Sequence, residues 1–226
     1  ILVLVAIKWE QGSWSLTEKT KHSTQVTDFT DTDAGTNAPE SAYNGDNYAR
    51  LVRNPDNSFS QLTGDLASPA TTSGDQLHVE YALYIPSEST SMWPQLKVLS
   101  ASGGPLFQAE PQSADTDVLI QTGDGGTFVD TGLNYVVGQW QIWEMDYAVG
   151  ASEWSLTIDG DTATGLDLFR ANDNDPSNDE FDVGGIQFRT AVDGTEFYVD
   201  SSIPEPATMA LLGMGGLAMI GRRRNR

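Results

Sequence analysis

Leu77, Val79, Tyr81, Leu83 and Ile85 alternate with His78, Glu80, Ala82 and Tyr84, and the run ends at Pro86. Successive side chains of a strand point to opposite faces, so this pattern predicts a strand with one face buried. The same period recurs. Trp143, Met145 and Tyr147 alternate with Ile142, Glu144 and Asp146; Trp154, Leu156 and Ile158 alternate with Glu153, Ser155 and Thr157. Ile186 and Phe188 follow Gly184-Gly185, a pair that predicts a bulge or bend. Phe197-Tyr198-Val199 predicts a last short strand, and further apolar pieces fall at Leu96–Leu99, Val118–Ile120 and Thr127–Val129. Turn residues separate these runs. Asp159-Gly160 and Asp193-Gly194 are hairpin dipeptides, and Gly103-Gly104-Pro105 and Gly123-Asp124-Gly125-Gly126 are loops. No stretch of the body sustains a helical period, and there is no internal repeat. The expectation is an all-β chain: an antiparallel β-sandwich of jelly-roll type.

The chain has 226 residues, enough for one domain with a real core plus appendages. It has no Cys, which excludes disulfides, zinc-thiolate sites, iron–sulfur clusters and Cys nucleophiles. It has two His, His22 and His78, and neither lies in an H-E-x-x-H pattern; no G-x-S-x-G occurs. Charge is uneven. Setting residues 203–226 aside removes four Arg and one Glu and leaves 8 basic against 31 acidic side chains, a net of −23. Such a body repels nucleic acid and anionic lipid, and suits divalent cations, polycations or neutral glycans.

The C-terminus departs from this pattern. Ile203-Pro204-Glu205-Pro206 leads into fifteen uncharged residues, Ala207–Gly221, and then Arg222-Arg223-Arg224-Asn225-Arg226. As a helix the fifteen residues span about 22 Å, short of a ~30 Å hydrocarbon core. The Arg cluster marks the cytoplasmic side and puts the body outside. The prolines end the helix at its outer edge and leave Glu205 extended and accessible. A buried C-terminal helix is the plainer alternative, but this segment has no polar face and ends in Arg. The order of parts resembles the PEP-CTERM sorting signal. That resemblance covers the last 24 residues or so. It implies recognition by an exosortase-type membrane protease, cleavage near Pro204-Glu205-Pro206, transient anchoring through the helix, and delivery to the cell surface or extracellular polysaccharide. At the other end, Ile1–Ile7 is an apolar run before Lys8, and two readings stand: the remnant of a signal peptide or a first buried strand.

The stretch Gly138-Gln139-Trp140 through Trp154-Ser155-Leu156-Thr157-Ile158-Asp159-Gly160 resembles the concanavalin A-like, or laminin G-like, sandwich. Trp9-Glu10-Gln11-Gly12-Ser13-Trp14 and Phe197-Tyr198-Val199-Asp200 are similar to segments of carbohydrate-binding sandwiches. The resemblance spans about residues 9–202. It implies a structural calcium among Glu10, Asp46 and Asp200.

Glycosidases need two carboxylates flanking the scissile bond. Laminarinase-like enzymes carry them in E-x-D-x-x-E. Glu144-Met145-Asp146 and Glu180-Phe181-Asp182 each hold two acids, but Val149 and Gly185 stand where the third belongs. No catalytic residue is therefore assigned. The run from Asn172 to Glu180 is rich in oxygen ligands but lacks the EF-hand positions, and a solvated acidic loop is the plainer reading. Trp143 and Trp154 fall on strand faces with Leu and Ile and read as core. Trp93, between Met92 and Pro94, sits in a loop and is the candidate glycan contact, against packing over a sandwich edge.

The domains expected are residues 1–7, a sandwich over 8–202, and the sorting signal over 203–226 with its short transmembrane helix. The expected role is an exported, non-catalytic surface or matrix protein with a glycan-binding-type sandwich. Two alternatives stay open: a polysaccharide-degrading hydrolase or lyase on the same fold, and a purely structural surface subunit.

Overall fold

The computed structural model describes residues 2–6, 9–10, 13–14, 26–30, 39–43, 47–52, 61–70, 73–86, 94–112, 115–122, 127–169, 182–190 and 195–200. All of their regular structure is strand. In chain order the strands are β1 (Leu2–Ala6), β2 (Trp9–Glu10), β3 (Ser13–Trp14), β4 (Val26–Thr30), β5 (Asn47–Val52), β6 (Gln61–Ala70), β7 (Gln76–Tyr84) and β8 (Pro94–Ser100). There follow β9 (Pro105–Pro111), β10 (Asp117–Thr122), β11 (Thr127–Asn134), β12 (Trp140–Ala148), β13 (Glu153–Ile158), β14 (Asp161–Asp167), β15 (Val183–Thr190) and β16 (Glu196–Asp200). Among the described residues no helix is long and apolar enough to cross a membrane. The expected helix over 207–221 lies outside the described residues.

Two large sheets face one another. One runs β14-β13-β12-β7-β16-β5-β4, with β1 as its eighth strand, and the other runs β11-β10-β9-β8-β15-β6. β12 pairs along the whole of one side of β7, from Trp140 opposite Tyr84 to Ala148 opposite Gln76. The other side of β7 is shared. β1 runs parallel to its first half, ending with Ala6 opposite Glu80, and β16 runs antiparallel to its last residues, ending with Asp200 opposite Ala82. The alternation read from the sequence is the alternation of burial. In β7 and β12 each apolar residue of the expected core face is buried and its polar neighbours are half-exposed.

The core lies between the sheets. Trp143, Tyr81, Tyr147, Phe107 and Phe197 are fully buried. Rings meet across the interface: Phe107 of β9 stacks on Trp154 of β13 at 4.5 Å between centroids, and Phe188 of β15 meets Tyr81 of β7 edge-on at 5.0 Å. Trp143 and Trp154 are thus core, as their strand positions predict.

The turns follow their chemistry. Asp159 and Gly160 join β13 to β14 with φ of 49° and 94°, both in the left-handed region that a two-residue type I′ hairpin requires. The Asp159 carboxylate also accepts from Ile142 N at 2.8 Å and from Gln141 Nε2 at 3.0 Å, which ties the turn to β12. The Gly184-Gly185 pair lies at a bulge, with the register of β15 shifting between Val183 and Gly185 against both neighbours. A Cβ on Gly184 would lie 2.6 Å from Ser100 O and 2.7 Å from Ala101 Cα, so only glycine lets β15 pass this close to backbone.

Candidate functional site

A sandwich has two faces turned away from its core, and here they differ in chemistry. On the six-stranded sheet the register aligns two rows of outward side chains. The first contains Phe128 opposite Gln121, then Gln108 opposite Lys97, Lys97 opposite Gln187, and Gln187 opposite Thr63. The second contains Asp130 and Leu119, Leu119 opposite Glu110, and Gln95 opposite Arg189. Phe107 and Ala109 of β9 point inward, so Gln108 and Glu110 point outward.

Outward is not exposed. Gln108 and Glu110 are each only 1% accessible, among the half-buried Gln95, Lys97, Gln121, Gln187 and Arg189. A buried polar group needs partners. Glu110 Oε1 accepts from Gln95 Nε2 at 3.0 Å and from Gln108 Nε2 at 2.5 Å. The same Gln108 amide donates to Gln121 Oε1, and Gln187 Nε2 donates to Thr63 Oγ1 at 3.1 Å. Glu110 Oε2 has no hydrogen-bond partner. Burial pushes the Glu110 carboxyl up to about 7, against the pull of Lys97 and its amide donors. Burial and the Arg189 charge bring Lys97 down to about 8, against the pull of Glu110. The centre of the face, β8, β9 and β15, thus holds one carboxylate that takes or gives a proton near neutrality, ringed by amides that both donate and accept.

The outward face of the eight-stranded sheet has an aromatic end and an acidic end. At the first, Trp140 lies 5.5 Å from Tyr84, 6.0 Å from Tyr48 and 6.3 Å from Tyr43, ring centre to ring centre. Trp140 Nε1 donates to Ser41 O at 2.8 Å, which fastens the segment 39–43 over this end. Beside it Arg50 Nε pairs with Glu196 Oε1 at 2.5 Å, and the Tyr198 hydroxyl donates to the same oxygen at 2.6 Å. At the acidic end Glu80 lies directly opposite Glu144, and His78 directly opposite Asp146.

The expected site residues fall as follows. Asp200 ends β16 on this sheet and is 2% accessible. Glu10 is in β2, where its backbone pairs with Ser13. Asp46, Trp93, Pro204, Glu205, Pro206, Arg222, Arg223 and Arg224 lie outside the described residues. Of the two near-miss acid pairs, Glu144 and Asp146 are on one strand face, and Glu180 lies outside the described residues. Sequence reading passed over Gln108, Glu110 and Lys97. The alternation of Phe107 and Ala109 with Gln108 and Glu110 was the available signal, masked by the prolines that bound β9.

The PEP-CTERM protein-sorting motif matches residues 202–225. A comparison with curated protein sequences finds no match. Among solved structures, a sialidase is similar at a TM-score of 0.52 and 14% identity, over 77% of this chain and 18% of that one. The chain thus spans under a fifth of that protein. A conserved carbohydrate esterase from the Shiga toxin-encoding bacteriophage phi24B is similar at 0.52 and 10% identity, over 79% of this chain and 85% of that one. A Bacteroides ovatus mixed linkage glucan GH16 in complex with a product follows at 0.45 and 14% identity, over 80% and 95%. At these identities the likeness to the first two is one of fold alone, in keeping with the jelly-roll β-sandwich described above. The motif is the recognition signal for exosortase processing and implies export with membrane-associated sorting to the cell surface. The chain is an all-β jelly-roll sandwich that carries the PEP-CTERM protein-sorting motif at its C-terminal end.

Proposed function

We propose that this is a non-catalytic surface or matrix protein that holds a neutral glycan on the outward face of its six-stranded sheet. The observation that carries this reading is the amide-ringed face around Glu110. Sugar hydroxyls both donate and accept, and so do the Gln95, Gln121 and Gln187 amides at its accessible level. Gln108 and Glu110 lie buried among them and brace them. The net of −23 on the body disfavours an acidic polymer, so the ligand is a neutral polysaccharide. Trp93 is retained as a stacking contact.

Hydrolysis at a glycosidic bond needs a second carboxylate about 5–10 Å from the first. β8, β9 and β15 offer only Glu110; the next acid of the same row, Asp130, stands two strands away on the exposed edge strand β11, at the far limit of that spacing, which favours binding over cleavage. A glycan array combined with a reducing-sugar assay on the full chain tests this. Binding without sugar release is expected, with Gln121→Ala and Gln187→Ala each weakening it about fivefold to tenfold. Sugar release that disappears in Glu110→Gln would give the face to the hydrolase alternative.

In the same reading an exosortase acts at Pro204-Glu205-Pro206 while Ala207–Gly221 holds the chain in the membrane and Arg222, Arg223 and Arg224 resist translocation. Glu205→Ala is expected to accumulate as uncleaved precursor in the membrane fraction; maturation like wild type would reduce the tail to an anchor. Structural calcium at Glu10, Asp46 and Asp200 completes the proposal, supported by the burial of the Asp200 carboxylate. Chelation should then lower the melting temperature, and an unchanged melting curve removes the calcium.

A further inference from the structure

The acidic end of the eight-stranded sheet is outside the glycan proposal, and its arrangement suits a cation. Glu80 and Glu144 are directly opposed across β7 and β12, a pairing that repels unless something positive lies between. They are 31% and 32% accessible, so water screens them only in part. Among the described residues no Lys or Arg reaches them. Among those residues His78 is the one side chain able to carry positive charge at their side.

The ring of His78 is already oriented. Its Nδ1 bonds Asp146 Oδ1 at 2.7 Å. A neutral imidazole that donates from Nδ1 presents a lone pair at Nε2. That lone pair faces Glu80 Oε2 at 3.6 Å and Glu144 Oε2 at 3.9 Å. Three electron-rich atoms thus converge, all within 4.8 Å of one another. A proton on Nε2 is too far from either oxygen for a normal hydrogen bond. A metal ion fits the gap better. Tetrahedral zinc with bonds of about 2.0–2.2 Å sets its ligands on the order of 3.3–3.5 Å apart, so the two edges from His78 need close by only a few tenths of an ångström, while the two glutamate oxygens, within 4.8 Å of one another, draw in by up to about an ångström through side-chain rotation. A carboxylate on the far nitrogen of a ligating histidine is the usual support for such a site.

We propose that His78 Nε2, Glu80 and Glu144 bind a zinc-type divalent transition-metal ion on the outer face of the eight-stranded sheet, with Asp146 positioning the ring. One imidazole with two carboxylates suits zinc better than calcium, which takes six to eight oxygens. Three protein ligands leave the fourth position open for water or a ligand oxygen. The site is on the opposite sheet from the glycan face, and it shares no residue with Glu10, Asp46 and Asp200.

The test is calorimetric titration of the EDTA-stripped full chain with Zn2+ in calcium-containing buffer, which fills any calcium site first. One stoichiometric site is expected, raising the melting temperature by about 5–10 °C at a hundredfold excess over Kd. His78→Gln should weaken binding at least a hundredfold, and Glu80→Gln or Glu144→Gln at least tenfold. Asp146→Asn should weaken it about 10–100-fold, as loss of a supporting partner does. His22→Gln should leave it unchanged. Melting without metal establishes that each variant is folded. No zinc binding by the wild-type chain overturns the proposal. So does a zinc site that survives both His78→Gln and the Glu80→Gln/Glu144→Gln pair, or calcium competing with zinc at equal affinity.

Discussion

The two outward faces of this sandwich are built from the same period-two strands over the same core, yet they treat charge in opposite ways. On the six-stranded sheet Glu110 lies beneath the accessible level and keeps its place through the Gln95 and Gln108 amides. Its acidity is weakened by burial, and Lys97 beside it is weakened as a base. On the eight-stranded sheet Glu80, Glu144 and Asp146 stay partly in water around one histidine. Depth decides which remedy a fold uses. A deep carboxylate is held by neutral donors and changes its protonation; shallow ones clustered together suit a cation.

Both faces rest on one set of rings, and the largest effect should come from there. Phe107 lies on the strand that carries Gln108 and Glu110, and it stacks on Trp154 beneath the other sheet. Phe107→Ala should cost about 3–5 kcal/mol in denaturant unfolding. It should weaken glycan and zinc binding together. If only the glycan face suffered, the faces would be independent units rather than two sides of one core.

Glu110 gives the next largest effect. Its ordinary value of 4.5 is raised to about 7. Sign matters here: a raised carboxyl favours the folded state fully below 4.5, and that contribution is lost as pH rises to about 7. The loss is on the order of 3 kcal/mol. Lys97 acts in the opposite sense and higher, between about 8 and its ordinary 10.5, where losing its proton restores stability. Unfolding free energy against pH should therefore show a trough between about pH 7 and 8. Glu110→Gln should abolish the acid-side fall, and a fall that persists would place it on other carboxylates.

These contrasts mark what was legible in the sequence. Alternation along one strand revealed β7, β12 and β13, their buried faces and their turns, because the period of a strand is a property of neighbouring residues. The pairing of Glu80 with Glu144 and of His78 with Asp146 is a matter of register between strands more than sixty residues apart, which no local pattern carries. Glu144 and Asp146 were noticed as an acid pair, but their meaning comes from β7. Glu110 was missed for another reason. Nothing in Pro-Leu-Phe-Gln-Ala-Glu-Pro says that the outward face is also buried. The edge strand β14, whose only apolar side chains are Ala163 and Leu166, showed no alternation to read, and it is mostly exposed as edge strands with charge are.

A smaller effect sharpens the comparison from the acidic side. In the metal-free protein, Glu80→Gln removes one of two opposed like charges and should stabilise the fold by about 0.2–1 kcal/mol at neutral pH. Gln95→Ala on the other face should do the reverse, because it takes a donor from a buried carboxylate. Paired chemical-denaturation curves read both. If Glu80→Gln destabilised the protein, the repulsion at this end would already be relieved by a contact other than a metal.

The smallest effect is the proton's, and it tests whether His78 alone serves the acidic end when no metal is present. Burial disfavours its charged form, but the bond to Asp146, the Asp146 charge, the nearby Glu80 acceptor and the Glu144 charge outweigh that, so its pKa is raised above the ordinary 6.5. Among the described residues the register sets no further charge directly opposite: β13 pairs Ser155 with Asp146 and Thr157 with Glu144, and β1 pairs Leu4 with His78 and Ala6 with Glu80. A raised histidine contributes stability that is full below 6.5 and fades as pH climbs through the folded value. The partners are partly in water, so the contribution stays under about 1 kcal/mol. In EDTA, His78→Gln should therefore be less stable than wild type at pH 5.5, with the gap closing towards pH 9. With zinc the order of the two ends reverses. Metal needs Nε2 unprotonated, so the wild-type advantage should grow as pH rises from 5.5 to 7.5. Opposite slopes with and without metal are the signature of one nitrogen shared between proton and ion, and parallel slopes would mean that zinc, if it binds, does not touch His78.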